Sequence, residues 1–242
     1  GQLWGHPVYN WERHRLTRFD WWLRRIAHQT AVFDTVRIDH FRGLVAYWEV
    51  AAGERTAKHG RWVDVPSDDL FSELQRRFVS LPLVAEDLGY ITADVRETMR
   101  RYGFPGMRVL MFGFSGDPAV DPNAPQNIPE HCVVYTGTHD NNTVRGWFEK
   151  EASSSEKRRL SLICGRRVQA REAASELIRL AMLSSARWSI IPVQDLLGLG
   201  AAARINTPGQ ARGNWDWRMT AKQFDALPVQ RLLELTTTFG RA

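Results

Sequence analysis

The sequence predicts an α/β protein built on a parallel sheet, and within that class a (β/α)8 barrel. Short apolar runs rich in β-branched residues alternate with longer helix-like stretches along the 242 residues. The runs are nearly continuous, as strands covered on both faces require. No Gly-x-Gly-x-x-Gly or Gly-x-x-x-x-Gly-Lys-Ser/Thr string opens a helix after a strand, so the open nucleotide-binding sheets lack their signature. The length suits one barrel of roughly 250 residues. A closed barrel needs eight strands, however, and five are visible.

Residues 15–33 carry Leu16, Phe19, Leu23 and Ile26 at helical spacing and lead into a first strand, Thr35–Asp39. Ser67 can cap a helix over 68–79, and Leu83–Glu86 is the second strand. Thr92 can cap 93–102, which Gly103 ends, before a third strand over Met107–Phe112. The Pro- and Asp-rich stretch 117–129 reads as a long loop feeding a fourth strand, Cys132–Thr136. A helix over 169–186, a fifth strand over Trp188–Val193 and a helix over 224–238 interrupted at Pro228 complete the chain. With no fixed-period repeat and no linker, residues 1–242 read as one domain.

The 43% hydrophobic and 24% charged residues exclude a disordered chain. No apolar run approaches the roughly 18 residues that cross a bilayer, and the N-terminus lacks signal-peptide order, so no membrane partner and a cytoplasmic location are expected. Two cysteines, Cys132 and Cys164, make neither a disulfide framework nor a zinc motif. The net charge of +5 is spread as pairs such as Arg24-Arg25 and Arg166-Arg167 inside helix-like segments, which argues against nucleic acid. Ten tryptophans supply flat faces that stack on sugars or bases, although most are expected in the core.

Polar clusters close the strands: Arg37-Ile38-Asp39-His40, Glu86-Asp87, Thr138-His139-Asp140-Asn141-Asn142 and Gln194-Asp195. In a barrel these ends share the face that carries the chemistry. Two carboxylates flanking a bond are the minimum for glycoside cleavage with retention, one attacking and one protonating the leaving oxygen, and a third can hold sugar hydroxyls. Arg37 lies on the same side of an extended strand as Asp39 and favours its ionised form. The same pattern also makes structural salt bridges and helix caps. A rival reading takes Asp39, His40, His139, Asp140 and Glu86 as ligands of a metal-dependent hydrolase, but adjacent residues such as Asp39 and His40 point to opposite sides of a strand.

Five strings resemble the 4-α-glucanotransferases called amylomaltase or disproportionating enzyme, glycoside hydrolase family 77. They are Gly1-Gln2-Leu3-Trp4-Gly5, Arg37-Ile38-Asp39-His40-Phe41-Arg42-Gly43, Ala85-Glu86-Asp87-Leu88-Gly89, Tyr135-Thr136-Gly137-Thr138-His139-Asp140-Asn141 and Gly213-Asn214-Trp215-Asp216-Trp217-Arg218. The resemblance implies retaining transfer of α-1,4-glucan segments between maltodextrin donor and acceptor, without metal or organic cofactor. It makes Asp39 the nucleophile, Glu86 the acid/base and Asp140 the carboxylate that steadies the transition state. Arg37, His139, Gln2, Trp4 and His40 become substrate-binding residues. Gln126 stands where the resemblance expects a histidine. It also implies that this chain is the C-terminal five strands of the barrel, with an N-terminal portion of the same protein as its missing partner and little activity alone. A retaining α-glucan hydrolase and a non-catalytic glucan-binding fragment remain as alternatives.

Overall fold

The computed structural model describes residues 2–241, which form two compact units that meet in sequence between Met107 and Arg108. It is a mixed α/β structure with seven strands among the described residues. No helix there is long and apolar enough to cross a membrane.

The first unit opens with α1 (Trp11–Leu16), where the Asn10 side chain accepts from Arg13 N, and α2 (Asp20–Val32). One helix over 15–33 was expected, but Arg18 and Phe19 are left-handed, at φ 49 and 57, and break it. The break puts Phe19 in the core while Leu16 faces solvent, so the apolar spacing that suggested one helix joins two separate faces. Thr17 Oγ1 also bonds back to Arg13 O at 3.1 Å, a local competitor to helix continuation.

Strand β1 (Val36–Ile38) runs to the hairpin of β2 (Ala46–Val50) and β3 (Gly60–Asp64). The sequence reading missed this antiparallel pair, which is registered from Ala46↔Asp64 to Val50↔Gly60. Trp48 and Trp62 face each other across it, 5.4 Å apart and edge to face. Helix α3 (Ser67–Arg77) follows. Here Pro66 is the N-cap and Ser67 already helical, so the expected serine cap is absent; Asp68 and Asp69 meet the positive helix end instead. Strand β4 (Leu83–Ala85) pairs in parallel with β1, and α4 (Ala93–Tyr102) ends at a left-handed Gly103, as expected, while Thr92 stands at its N-cap position but makes no side-chain cap bond. The core beneath β1 and β4 centres on Phe41, Phe71 and Phe104, whose rings lie 5.1 to 5.8 Å apart. Burying each such ring contributes about 1.5–3 kcal/mol.

Strand β5 (Gly106–Val109) crosses the boundary and heads a sheet ordered β5-β6-β7, with β6 (Cys132–Tyr135) wholly buried. The third strand thus ends earlier than expected, and Leu110–Phe114 coils as a 3-10 turn. The 117–129 loop is irregular, as expected, apart from a turn at Pro125–Asn127. Its Gln126 is a loop brace, with Nε2 donating to Pro118 O at 2.7 Å. Two unforeseen helices come next, α5 (Val144–Lys150) and α6 (Ser154–Ile163), the latter started by a Ser153/Glu156 capping box. Helix α7 (Ala170–Leu183) leads to β7 (Trp188–Ile190), parallel to β6. This strand stops short of the expected Val193, because Pro192 caps a short α8 (Val193–Leu196). Helices α9 (Ala221–Asp225) and α10 (Val229–Thr238) are parted at Pro228 as expected.

Two expectations about burial fail. Only Trp11, Trp22 and Trp147 of the ten tryptophans are buried. Strands β4 and β6 are covered on both faces, whereas β7 exposes Trp188 and Ile190.

Candidate active site

In the first unit the parallel register Ile38↔Ala85 makes Asp39 and Glu86 the next residues on two adjacent strands. Glu86 N donates to Ile38 O at 3.0 Å and Phe41 N to Glu86 O at 3.2 Å, so the ladder continues past both carboxylates. Arg37 Nη2 lies 2.9 Å from Asp39 Oδ1, the ion pair that two-residue spacing on a strand predicts. The Asp39 side chain is 61% exposed and open to an incoming reactant.

Glu86 has a different setting. Burial pushes its carboxyl above the ordinary glutamate range; backbone N–H groups of Leu88 and His40 pull it back, and the charge of Asp39 pushes it up again. Those N–H groups reach Oε1 at 2.8 Å and Oε2 at 2.7 Å. His40 adopts the left-handed region at φ 49, and its side chain is exposed beside Gly43. Its backbone, rather than its ring, touches a catalytic candidate. Asp87 is structural, accepting from Met107 N at 2.7 Å.

Gln2 and Trp4 lie on the exposed N-terminal segment, where Trp4 Nε1 donates to Gln2 Oε1 at 3.1 Å.

In the second unit, Asp140 closes a turn after β6 in which Asn141 Oδ1 accepts from both the N–H and the hydroxyl of Thr138, at 2.8 and 2.9 Å. His139 Nε2 is 3.4 Å from Asp140 Oδ2. Three residues unforeseen in this role complete the cluster. Asn206 Nδ2 donates to Asp140 Oδ1 at 2.5 Å, and Arg204 Nη2 to the Asp140 carbonyl at 2.7 Å. Trp215, 56% exposed, sets its ring 5.5 Å from that of His139. Trp215 belongs to the Gly213–Arg218 string; Arg204 and Asn206 lie more than sixty residues from Asp140 in an irregular segment, where spacing carries no signal.

The last of the expected strand-end clusters, Gln194-Asp195, lies in α8 instead and is structural. Asp195 is buried, its Oδ2 accepting from Thr136 Oγ1 at 2.6 Å and its Oδ1 from Val144 N at 2.8 Å. It ties β6 to the start of α5, and burial raises its carboxyl.

Fold and site therefore define a mixed α/β protein with a strand-end carboxylate pair, one member ion-paired and open, the other half-buried with a raised pKa. The chain belongs to glycoside hydrolase family 77, the 4-alpha-glucanotransferases, whose model matches residues 1–223. It is 48% identical over 219 residues to the 4-alpha-glucanotransferase of Aquifex aeolicus, covering 90% of this chain and 44% of that protein. It is 41% identical over 244 residues to the chloroplastic/amyloplastic enzyme of Solanum tuberosum, covering all of this chain and 42% of that protein. Its structure is similar to the amylomaltase from Streptococcus agalactiae in complex with acarbose, with a TM-score of 0.92 and 35% identity over 99% of this chain and 48% of that one. The chain thus spans about half the length of the relatives it matches.

Proposed function

We propose that this chain carries the catalytic carboxylates of a 4-alpha-glucanotransferase, which moves α-1,4-glucan segments between maltodextrins with retention. An oxygen of Asp39 attacks C1 of the donor sugar as the bond from C1 to the leaving O4 breaks, and Glu86 gives that oxygen its proton. The Glu86 carboxylate then takes the proton of an acceptor 4-hydroxyl, whose oxygen displaces Asp39 from C1. Asp140 and His139 bind hydroxyls of the transferred sugar, while Arg37 holds the Asp39 carboxylate in place through their 2.9 Å ion pair. Gln2, Trp4 and the His40 side chain bind neighbouring sugars. No metal or organic cofactor takes part.

The same reading makes residues 1–242 the C-terminal five strands of one catalytic (β/α)8 barrel, completed by the length of its relatives that this chain does not span, and acting in the cytoplasm. The observation that supports the chemistry most is the contrast between two register neighbours: Asp39 exposed and paired with Arg37, Glu86 half-buried with its carboxyl raised. Such a pair splits nucleophile from acid.

The test uses the natural protein carrying this sequence, with Glu86→Gln to block turnover of the intermediate. Incubation with maltosyl fluoride followed by peptide mass spectrometry is expected to find the added maltosyl mass on the peptide containing Asp39. A label elsewhere, or none, overturns the assignment.

A further inference from the structure

The β2–β3 hairpin leaves the chain just beyond Asp39, and the segment after Glu86 passes a left-handed Gly89 to reach Tyr90 and Thr92. Arg42 lies between these two segments and is 8% exposed. Its guanidinium carbon sits 4.0 Å from the ring centroid of Trp62 and 5.7 Å from that of Tyr90, and Nη1 donates to Thr92 Oγ1 at 2.8 Å. Its Nε is buried without an acceptor among the described residues. A buried cation with a donor unspent is a costly way to hold a fold together, so its purpose is sought in what it holds.

It holds two aromatic side chains at the surface. Trp62 is 45% exposed and Tyr90 76% exposed. Trp62 is braced by Arg42 and, edge to face, by Trp48, whose Nε1 is itself fixed to Ala57 O at 2.9 Å. A ring fixed in advance loses little rotamer freedom when a ligand arrives. Flat aromatic faces suit the C–H faces of sugar rings, and stacking of this kind is indifferent to register, as it is for successive bases of a single strand. A polymer of identical α-1,4-linked glucoses offers one such face after another. Both rings belong to segments that leave the C-terminal ends of β1 and β4, the ends that carry Asp39 and Glu86.

We propose that Trp62 and Tyr90, held by Arg42, form a platform that binds sugar rings of a long α-1,4-glucan away from the reacting bond. The proposal rests on the glucanotransferase reading above. Its test titrates maltotriose and maltoheptaose by calorimetry into the natural protein carrying Asp39→Asn, which stops turnover. Tyr90→Ala and Trp62→Ala are each expected to weaken maltoheptaose about tenfold and maltotriose less than about twofold, with Trp62→Phe recovering most of the loss. Equal losses at both lengths, or an unchanged affinity for maltoheptaose, overturn the platform. Failure of the Asp39→Asn parent to bind either sugar overturns the glucan reading and the platform with it. Should Trp62→Ala not fold, the exposed Tyr90 decides alone.

Discussion

The backbone N–H of His40 points at Glu86 Oε2 from 2.7 Å, so the residue that follows Asp39 hydrogen-bonds the second carboxylate of the pair. A main-chain donor survives a change of side chain. His40→Gly, which also suits the left-handed φ of 49, should leave the alkaline limb of the pH–rate profile within about half a pH unit of wild type. It should raise KM if the imidazole binds sugar. A limb displaced by more than a unit would show that the ring, not the N–H, sets the state of Glu86.

On the proposed assignment, Glu86→Gln removes the proton donor and keeps the nucleophile. Transfer from maltotriose should fall at least about a thousandfold, roughly 4 kcal/mol of barrier, while a glucosyl fluoride, whose leaving group needs less protonation, still glycosylates Asp39. Equal losses on both donors would remove the acid role.

The raised carboxyl of Glu86 has a stability consequence of definite sign. In the folded state it binds a proton more tightly than in the unfolded chain, where a glutamate titrates at about 4.3. Its contribution is therefore complete below that value and is lost as pH rises through the raised folded value. Glutamine never ionises, so the Tm of Glu86→Gln relative to wild type should climb between pH 4 and 7. A difference constant across that range would contradict the burial account.

Asn206→Ala strips Asp140 Oδ1 of its donor without touching the carboxylate itself. One lost hydrogen bond to a charged group is worth about 1.5–3 kcal/mol, so kcat/KM should drop roughly tenfold to a hundredfold. The loss should be similar for maltotriose and glucosyl fluoride, because in the proposed mechanism Asp140 acts on the transferred sugar in either case. Unaltered kinetics would make Asn206 a bystander.

Asp195→Ala leaves Thr136 Oγ1 and Val144 N unpaired in the interior of the second unit. Unfolding in urea should show a loss of about 2–4 kcal/mol. Asp195→Asn should cost less, since one acceptor oxygen remains. A loss below 1 kcal/mol for the alanine variant would mean that water reaches the site.

The strand ends were legible because a run such as Leu83–Ala85 is apolar on both faces and stops at a charge. Position alone did not separate Asp195 from Asp39: both come after an apolar run in the sequence, and only the structure shows Asp195 buried in α8 and Asp39 exposed. The β2–β3 hairpin was missed because its nine-residue connection carries no tight-turn signature and its strands mix aromatic and charged residues. The break before α2 was hidden because Leu16 and Phe19 keep helical spacing across it. The surroundings of Asp140 depend on an irregular segment pinned by side-chain bonds, such as Thr207 N donating to Asn214 Oδ1 at 2.9 Å, and no periodicity announces those.

The pairing Ile38↔Ala85 reaches beyond chemistry, into which insertions and deletions this lineage can accept. One residue added between Val36 and Asp39, or between Leu83 and Glu86, would slide one strand against the other and turn the displaced carboxylate to the opposite face. The hairpin connection over 51–59 and the irregular 117–129 loop carry no such ladder. Orthologous chains should therefore differ in length at those two places, while the spans 36–39 and 83–86 stay invariant in residue number.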